Sequence, residues 1–411
     1  MRYYPFPENR VTKVLTALFL TALLFLARDT LVTSSILGFN KSQFLMLGLI
    51  CTAGLLFLFY NRRNLKDILL DKRVLVMAVS AVILLLPMLL KRDWQMMYLS
   101  VLLCLLTAVF LTYFISYREL AKYYVLILTV LGVYSILAMW VLRPMLIDTG
   151  VLTMPVFYNQ MDVMFHNFFL SFVSDSYVRT RNFGIFREPG VYQYFIILAL
   201  FLNNYAVTWK KQSTWWICNI ALAATMLTTL ATGGVAELGV LALVVFFERK
   251  LYKDKRILAA VAVFAVLLCV LVGYIVMDKG DLYWELYSMV LGKFQPGEDS
   301  AVGRLDAIFM DLRFFLGSPL VGENLATVLH SVTDNTTSTM ILYAGFGILA
   351  GTLNVIAWFA LIWDRKRKFW VNILLVPVMF LSFNTQNLIA DVFFWLFPYM
   401  ALTERLLAKK G

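Results

Sequence analysis

Long, nearly continuous apolar runs dominate the chain, and short clusters of charge separate them. A run such as VLLCLLTAVFLTYFI shows no alternation of apolar and polar positions, which excludes a membrane β-barrel. A helix needs about 20 mostly apolar residues to cross a membrane. Runs of this kind predict spans near residues 12–27, 43–60, 74–90, 96–116, 122–142, 190–209, 213–231, 234–248, 257–277, 339–363, 369–386 and 388–403. The pattern therefore predicts an all-α, polytopic integral membrane protein with about 12 transmembrane helices.

Composition agrees with this pattern. Of the 411 residues, 61% are hydrophobic and only 15% are charged, whereas roughly 25% are charged in an average soluble domain. A water-soluble globule is excluded, and residues 1–411 are expected to form a single membrane domain. The four cysteines all lie within apolar runs, so no disulfide framework is expected.

The net charge of +11 is interpreted as a signal of membrane topology. With the N-terminus in the cytoplasm, 24 of the 36 Lys and Arg residues fall on the cytoplasmic side and 12 fall outside, in the sense of the positive-inside rule. Both termini are then expected to be cytoplasmic, and no nucleic-acid partner is expected. The first apolar run lacks a small-residue cleavage site, which predicts a retained helix.

Two external connections are long, residues 143–189 and 278–338, and both hold charged residues among aromatic ones. Loops of this length are usually functional or disordered. The phrase MPVFYNQMDVMFHNFFLSF is too apolar for disorder. It favours interfacial or re-entrant helices against the bundle, and the functional residues are expected in these two loops.

The sharpest local feature is RNFGIFREPG at 181–190, which ends the first long loop and opens the sixth span. Pro189 suits the first turn of a helix, whose positive N-terminal end favours an anion such as phosphate. Arg181 and Arg187 can add charge-assisted hydrogen bonds to phosphate oxygens. Glu188 has two interpretations: a helix cap paired with an arginine, or a carboxylate that orients or deprotonates a substrate hydroxyl.

The second feature is SAVGR at 300–304, followed by GSPLVGEN at 317–324. The residues between them predict a helix. Arg304 is the candidate functional cation, because the glycine-serine-proline turn can fold this helix back over the bundle. The alternative is a salt-bridged surface helix, with Arg304 paired to Asp311 seven residues later or Asp306 paired to Arg313.

The third feature is a polar run, HSVTDNTTS at 330–338, immediately before the tenth predicted span. His330 and Asp334 are candidate catalytic residues; an ordinary loop histidine and a helix N-cap are the alternatives. The chain has only two histidines and no supporting ligand spacing, so no metal is expected. It lacks a phosphate-binding P-loop and a dinucleotide fingerprint, so no nucleotide cofactor is expected. A cation-lined outer cavity with a few carboxylates suits a lipid-linked phosphate or pyrophosphate.

In this order the three motifs resemble the bacterial surface-polysaccharide repeat-unit polymerases of the Wzy type and the related O-antigen ligases. The matching elements are RNFGIFREPG (181–190), SAVGR with GSPLVG (300–322), and DNTTSTM with GFGILAG (334–351). The resemblance covers most of the chain. It implies a C-type glycosyltransferase-like helical fold in the bacterial plasma (inner) membrane, with the active site facing outward.

The resemblance also implies an activity. It implies a glycosyltransferase, needing no metal, that polymerises undecaprenyl-pyrophosphate-linked oligosaccharide units into capsular, exopolysaccharide or O-antigen chains. Arg181, Arg187 and Arg304 match positions where the family places cations, which would stabilise the leaving pyrophosphate. Glu188 would position or deprotonate the acceptor hydroxyl. The implied partners are the lipid-linked donor and acceptor, membrane lipids, and a chain-length regulator and flippase of the same pathway.

The sequence departs from the family pattern in two places. The ligase branch usually has histidine followed by asparagine before the tenth span, whereas here Asp334 precedes Asn335 and the histidine is His330. A serine-arginine pair common near the seventh span is replaced by ATGG at 231–234. The alternatives are a ligase that transfers finished glycan and a lipid-linked oligosaccharide flippase. The apolar mid-membrane region disfavours the flippase.

Overall fold

The apolar runs fold into helices. The computed structural model describes residues 10–27, 30–60, 66, 70–153, 155–158, 163–175, 181–278, 299–331 and 335–408, and it is 74% helical. Within these ranges the 14 α-helices are α1 (Arg10–Phe25), α2 (Phe39–Tyr60), α3 (Lys72–Lys91), α4 (Met96–Leu111), α5 (Tyr117–Leu137), α6 (Pro189–Tyr205), α7 (Gln212–Thr228), α8 (Thr232–Glu248), α9 (Lys255–Asp278), α10 (Asp299–Gly317), α11 (Leu325–His330), α12 (Ser338–Ile362), α13 (Phe369–Phe383) and α14 (Val392–Ala408).

Among the described residues, three helical segments are long and apolar enough to cross a membrane, which indicates a membrane protein: Lys72–Lys91, Tyr117–Ile147 and Ser338–Ile362. Shorter apolar helical segments accompany them: Lys13–Phe25, Phe44–Leu55, Met96–Leu111 and Phe369–Phe383. Each predicted span overlaps one helix, from α1 to α9 and from α12 to α14. The number of crossings, about 12, stays a prediction.

The first long loop differs from its prediction of interfacial or re-entrant helices. Helix α5 continues as a π-helix to Ile147, four residues beyond the predicted start of the loop. Three antiparallel strands then follow in the order β1-β2-β3: β1 (Val156–Tyr158), β2 (Met164–Asn167) and β3 (Phe172–Ser174). The prediction was wrong here because aromatic and β-branched residues in runs of three or four favour paired strands over helices.

The second long loop contains helices α10 and α11, joined by the glycine-serine-proline turn. The helix predicted between the SAVGR and GSPLVGEN phrases is confirmed as α10, which packs against α12. Residues 279–298 and 332–334 of this loop lie outside the described residues.

Helix α6 is the centre of the bundle. Every residue from 191 to 204 is buried, which fits a helix that is apolar on all sides. It packs against α5, α7, α8 and α13. The Tyr194 hydroxyl donates a hydrogen bond to the Phe393 carbonyl of α14 (3.0 Å), and the Tyr124 hydroxyl of α5 donates to the Phe195 carbonyl (3.1 Å). The position of α6 is thus set by neighbours on every side.

Helix α12 is interrupted at Gly347, whose φ is +82° and ψ is −178°. The loop after α10 satisfies the backbone groups released by this break. The Ile348 amide donates to the Pro319 carbonyl (2.8 Å), and the Glu323 amide donates to the Ala344 carbonyl (2.6 Å). The Lys91 ammonium donates to the Gly345 carbonyl (2.6 Å). Irregular backbone is tolerated inside such a bundle where protein groups satisfy it, and this contact holds α10 beside α12.

We expect Gly347→Ala to destabilise the protein. An alanine Cβ would lie 2.3 Å from the Leu320 carbonyl oxygen, and the backbone conformation alone costs a non-glycine residue about 1–3 kcal/mol. Thermal denaturation in detergent measures the loss. The control is Gly239→Ala: this glycine of α8 has nothing within 4 Å of its Cβ position, so the change should be neutral or slightly stabilising. Equal melting temperatures for the two variants would contradict the assigned role of the interruption.

Candidate functional site

The segment before α6 is held in place by Asn182. Its side-chain amide donates to the Ser135 hydroxyl (2.9 Å) and to the Thr228 hydroxyl (3.0 Å), so it joins α5 to α7. Its carbonyl oxygen accepts from the Gly184 amide (3.0 Å) and closes a tight turn. Because Asn182 and Ser135 are buried, these bonds also avoid the cost of unpaired buried polar atoms. Asn182 therefore determines how the chain enters the helix.

Gly184 is required by this turn. Its φ is +56°, and a Cβ there would lie 2.7 Å from the Tyr192 ring. Its carbonyl accepts a hydrogen bond from the Phe172 amide of β3 (2.6 Å). The next aromatic residue, Phe186, stacks on Tyr192 at 5.2 Å and approaches Phe195 at 4.2 Å between ring centroids. Residues 183–186, in the middle of the RNFGIFREPG motif, are therefore buried against α6. The charged residues of the motif precede and follow this buried segment.

The two arginines of the motif are part-buried at the two ends of this buried segment. Arg181 donates from Nε to the Thr229 carbonyl at the C-terminus of α7 (3.2 Å), where a cation also complements the helix dipole. Arg187 Nε lies 3.9 Å from Glu188 Oε1. This distance is within ionic attraction but beyond a normal hydrogen bond. The predicted pairing of Glu188 with an arginine is thus present as a long contact.

Glu188 occupies the N-cap position of α6, and Pro189 begins the helix as predicted. The carboxylate makes no capping hydrogen bond. Instead, Glu188 Oε2 accepts from Gln386 Nε2 (3.2 Å), and the side chain is 28% exposed. Gly190 makes this contact possible, because a Cβ at that position would lie 2.8 Å from Gln386 Nε2. Glu188 is therefore held by a neutral amide, with part of its surface open to an incoming group.

Gln386 connects this motif to the start of α12. The Ser338 hydroxyl donates to the Gln386 carbonyl (2.6 Å) and accepts from the Leu388 amide (2.8 Å). The Asn384 side chain accepts from the Thr339 amide (2.8 Å). The connection between α13 and α14 is thus bound to the first turn of α12, immediately after the predicted HSVTDNTTS run.

Asp311 of α10 completes the connection. It is buried, and its carboxylate accepts from Asn335 Nδ2 (2.8 Å) and from the Thr337 hydroxyl (2.8 Å). Both carboxylate oxygens therefore accept a hydrogen bond from these two residues. Burial raises the pKa of the Asp311 carboxyl to about 6, although both hydrogen bonds oppose the shift.

These contacts link all three motifs through Glu188, Gln386, Ser338, Thr337 and Asp311, here named the polar chain. The Glu188 carboxylate contacts the Gln386 amide, the Gln386 backbone contacts Ser338, and Thr337 beside it contacts Asp311. The sequence identifies three motifs in order but does not show that Gln386 connects them. The one local signal at this position is a polar amide between two apolar runs.

The remaining predicted site residues lie around the polar chain. Arg304 is on α10, seven residues before Asp311, and its side chain lies outside the description. Asp334 also lies outside the described residues. His330 is the last residue of α11 and is exposed. The described contacts bring Arg187 and Glu188 together and include no hydrogen bond from the His330 side chain.

A second acid lies deeper in the bundle. Glu237 of α8 is 4% exposed and accepts from Gln193 Nε2 of α6 (3.2 Å). Gly234 provides the space, since a Cβ there would lie 2.5 Å from Gln193 Cγ. Glu237 is therefore a buried acid paired to the central helix.

The three-stranded sheet has its own ionic cluster, which the sequence did not reveal. Asp175 accepts from Arg143 Nη2 (3.1 Å) and lies 3.3 Å from His166 Nε2. Arg143 and His166 are both largely buried. This cluster ties β2 to the end of the π-helix and so supports the loop that leads into the RNFGIFREPG motif. No group of three or more potential metal ligands among His, Cys, Asp and Glu occurs in the part of the chain that the structure describes.

Comparison with family models, curated proteins and solved structures finds no match to this chain. The chemistry of the site follows from its own groups. The Arg187 guanidinium, next to the N-terminus of a buried helix, favours an anionic group. The partly open Glu188 carboxylate beside it can accept a proton from a hydroxyl. The arrangement suits group transfer from an anionic leaving group to a hydroxyl acceptor.

The raised pKa of Asp311 gives a pH-dependent stability. The folded protein keeps a proton that the unfolded chain releases between pH 3.8 and about 6. The stabilisation from this proton is complete below that window and is lost as pH rises through it. Asp311→Asn should remove this part of the pH dependence, measured as melting temperature against pH in detergent. Asp306→Asn, an exposed carboxylate of the same helix, should keep the original profile; identical profiles for both variants would disprove the assignment.

Proposed function

We propose that this protein is a glycosyltransferase that polymerises undecaprenyl-pyrophosphate-linked oligosaccharide units, as a C-type glycosyltransferase-like membrane enzyme with about 12 spans. The observation that carries the proposal is the position of Glu188 at the start of α6. Its carboxylate is bound by Gln386 and lies beside Arg187. A base and a cation thus lie together at one end of a buried helix.

The reaction would use these groups in distinct roles. An acceptor sugar hydroxyl attacks the anomeric carbon of the donor, a new glycosidic bond forms, and the bond to the lipid pyrophosphate breaks. Glu188 takes the hydroxyl proton, and the electron pair of the broken bond leaves with the pyrophosphate. We assign to Arg187, Arg181 and Arg304 the stabilisation of the negative charge that develops on this leaving group.

The hydrogen bonds around Glu188 support this division of roles. Gln386 donates to Oε2 and restricts rotation of the carboxylate, whereas Oε1 faces Arg187 at the longer distance. Gln386 is in turn held by Ser338, so the base is oriented by a group that is itself fixed. Orientation by such supporting contacts is what precise proton transfer requires.

The location follows from the same proposal. The positive-inside distribution of Lys and Arg supports cytoplasmic termini, and the proposed activity implies a bacterial plasma membrane. Glu188 and α10 then lie towards the outer face, where capsular, exopolysaccharide or O-antigen units would be joined.

The direct test is polymer synthesis in a defined system. The full chain is reconstituted in phospholipid vesicles with the lipid-linked oligosaccharide of its own host, and the products are separated by size. A ladder spaced by one repeat unit is expected. If the product is a single unit attached to a different acceptor, the protein is a ligase; movement of intact substrate across the bilayer without new bonds indicates a flippase. Either result would overturn the polymerase assignment.

Glu188→Gln should lower polymer yield at least about a hundredfold, because it removes the proton acceptor while an amide of the same shape remains. Yield is measured with the size-separation assay, at equal amounts of folded protein in the membrane. Asp306→Asn is the matched control: it removes an exposed carboxylate from α10 and should leave synthesis unchanged. Near-normal polymer from Glu188→Gln would exclude a catalytic role for this residue.

Arg304 can be tested against a second arginine of its own helix. Arg304→Ala should reduce synthesis about a hundredfold through loss of charge stabilisation. Arg313→Ala, an exposed position two and a half turns further along α10, should have little effect. Initial rates at equal protein level distinguish the two variants. Comparable losses for both would favour the salt-bridged surface helix, as would loss of the Arg304→Ala protein itself.

A further inference from the structure

A groove of about 560 Å³ lies where α1, α2, α4 and the start of α5 meet the connection from α6 to α7. Its apolar lining includes Phe19 of α1 and the end of α4 with the residues after it, among them Phe110, Phe114 and Ile115. This volume is in the range of small-ligand sites. The floor suits a hydrocarbon chain.

The rim of the groove is positively charged. Lys13, Lys122 and Lys210 line it, and all three are exposed. Glu119 is the one carboxylate among the lining residues. It already accepts from the Ser116 hydroxyl (3.1 Å) in the capping box of α5. Three ammonium groups therefore face one occupied carboxylate, and the rim favours an anion.

The groove and the polar chain lie at opposite ends of α6. Glu188 immediately precedes this helix, and Lys210 follows its last residue, Tyr205, by five positions. The 17 residues of α6 separate the two ends by about 25 Å, close to the thickness of a bilayer core. The groove is therefore distinct from the candidate transfer site and opens at the other membrane face.

A lipid fits this combination better than a soluble anion. A soluble phosphate would use the lysines but leave the aromatic floor exposed to water, and a neutral lipid would fill the floor without using the lysines. Basic pockets between helices at a membrane face bind anionic lipid headgroups. Lysine stems can also pack on an apolar wall while the ammonium remains at the polar boundary.

We infer that this groove binds an anionic phospholipid, with its phosphate between Lys13, Lys122 and Lys210 and an acyl chain along the apolar floor. The site does not depend on the proposed polymerase activity. It would fix α1 against α5 at the membrane face opposite Glu188.

The test is binding of phosphatidylglycerol to the purified full-length protein in detergent, measured by native mass spectrometry over a lipid titration. Changing Lys13, Lys122 and Lys210 to Gln should weaken binding about fivefold for each lysine removed. The control changes three exposed lysines, Lys250 and Lys253 before α9 and Lys255 at its start, to Gln, and should not alter binding. If both triple variants weaken lipid binding equally, the binding is a non-specific attraction to positive charge, and the inference is overturned.

The floor is tested separately. Ala53 lines the groove, and Ala53→Phe should weaken phosphatidylglycerol binding while all three lysines remain. Unchanged melting temperature confirms that this variant is folded, and unchanged lipid binding in it would overturn the inference.

Two further probes identify the ligand chemistry. Glycerol phosphate alone should not compete, and phosphatidylcholine should bind more weakly than phosphatidylglycerol. Competition by glycerol phosphate would indicate a soluble-anion site, and equal binding of phosphatidylcholine would indicate an apolar crevice without headgroup recognition. Either result contradicts the proposed site.

Discussion

The enclosure of α6 by other helices is the constraint on which the site depends. A buried helix cannot rely on water for the polar groups at its end, and an unpaired buried polar group costs about 1–3 kcal/mol. The groups around its first turn therefore bind other parts of the chain. Asn182 joins α5 to α7, and Glu188 binds Gln386. Only the rim of the site, where Arg187 and Glu188 are part-exposed, is left for a substrate.

The interruption of α12 applies the same rule at a second place. The backbone groups released near Gly347 are satisfied by the loop after α10 and by Lys91. This pairing holds α10 alongside α12 and brings Asp311 to Thr337. The polar chain thus follows from two helix irregularities, each of which had to find partners inside the bundle.

Several particular features were predictable because they depend on local chemistry. Continuous apolar runs lead to helices whatever their neighbours, and Pro189 marks the start of α6 for the same local reason. The strands of the first long loop were missed, since segments of only three or four residues are stable as strands only when they pair. The partners of the Asp311 carboxylate, Asn335 and Thr337, lie more than 20 positions away along the chain, and no pattern within its own helix indicates them.

The sequence by itself determined the helical class, the positions of the apolar helices and the residue types able to handle an anion and a proton. These properties depend on the hydrophobicity of short stretches of sequence and on the chemistry of single side chains. Only the tertiary structure decided which of those residues meet. The contact between Glu188 and Gln386 joins positions 198 residues apart, and Asp175, which follows the three-stranded sheet, meets Arg143, which lies 32 positions earlier. Such contacts arise from the need to satisfy buried polar groups three-dimensionally, and no local pattern encodes which partner will be within reach.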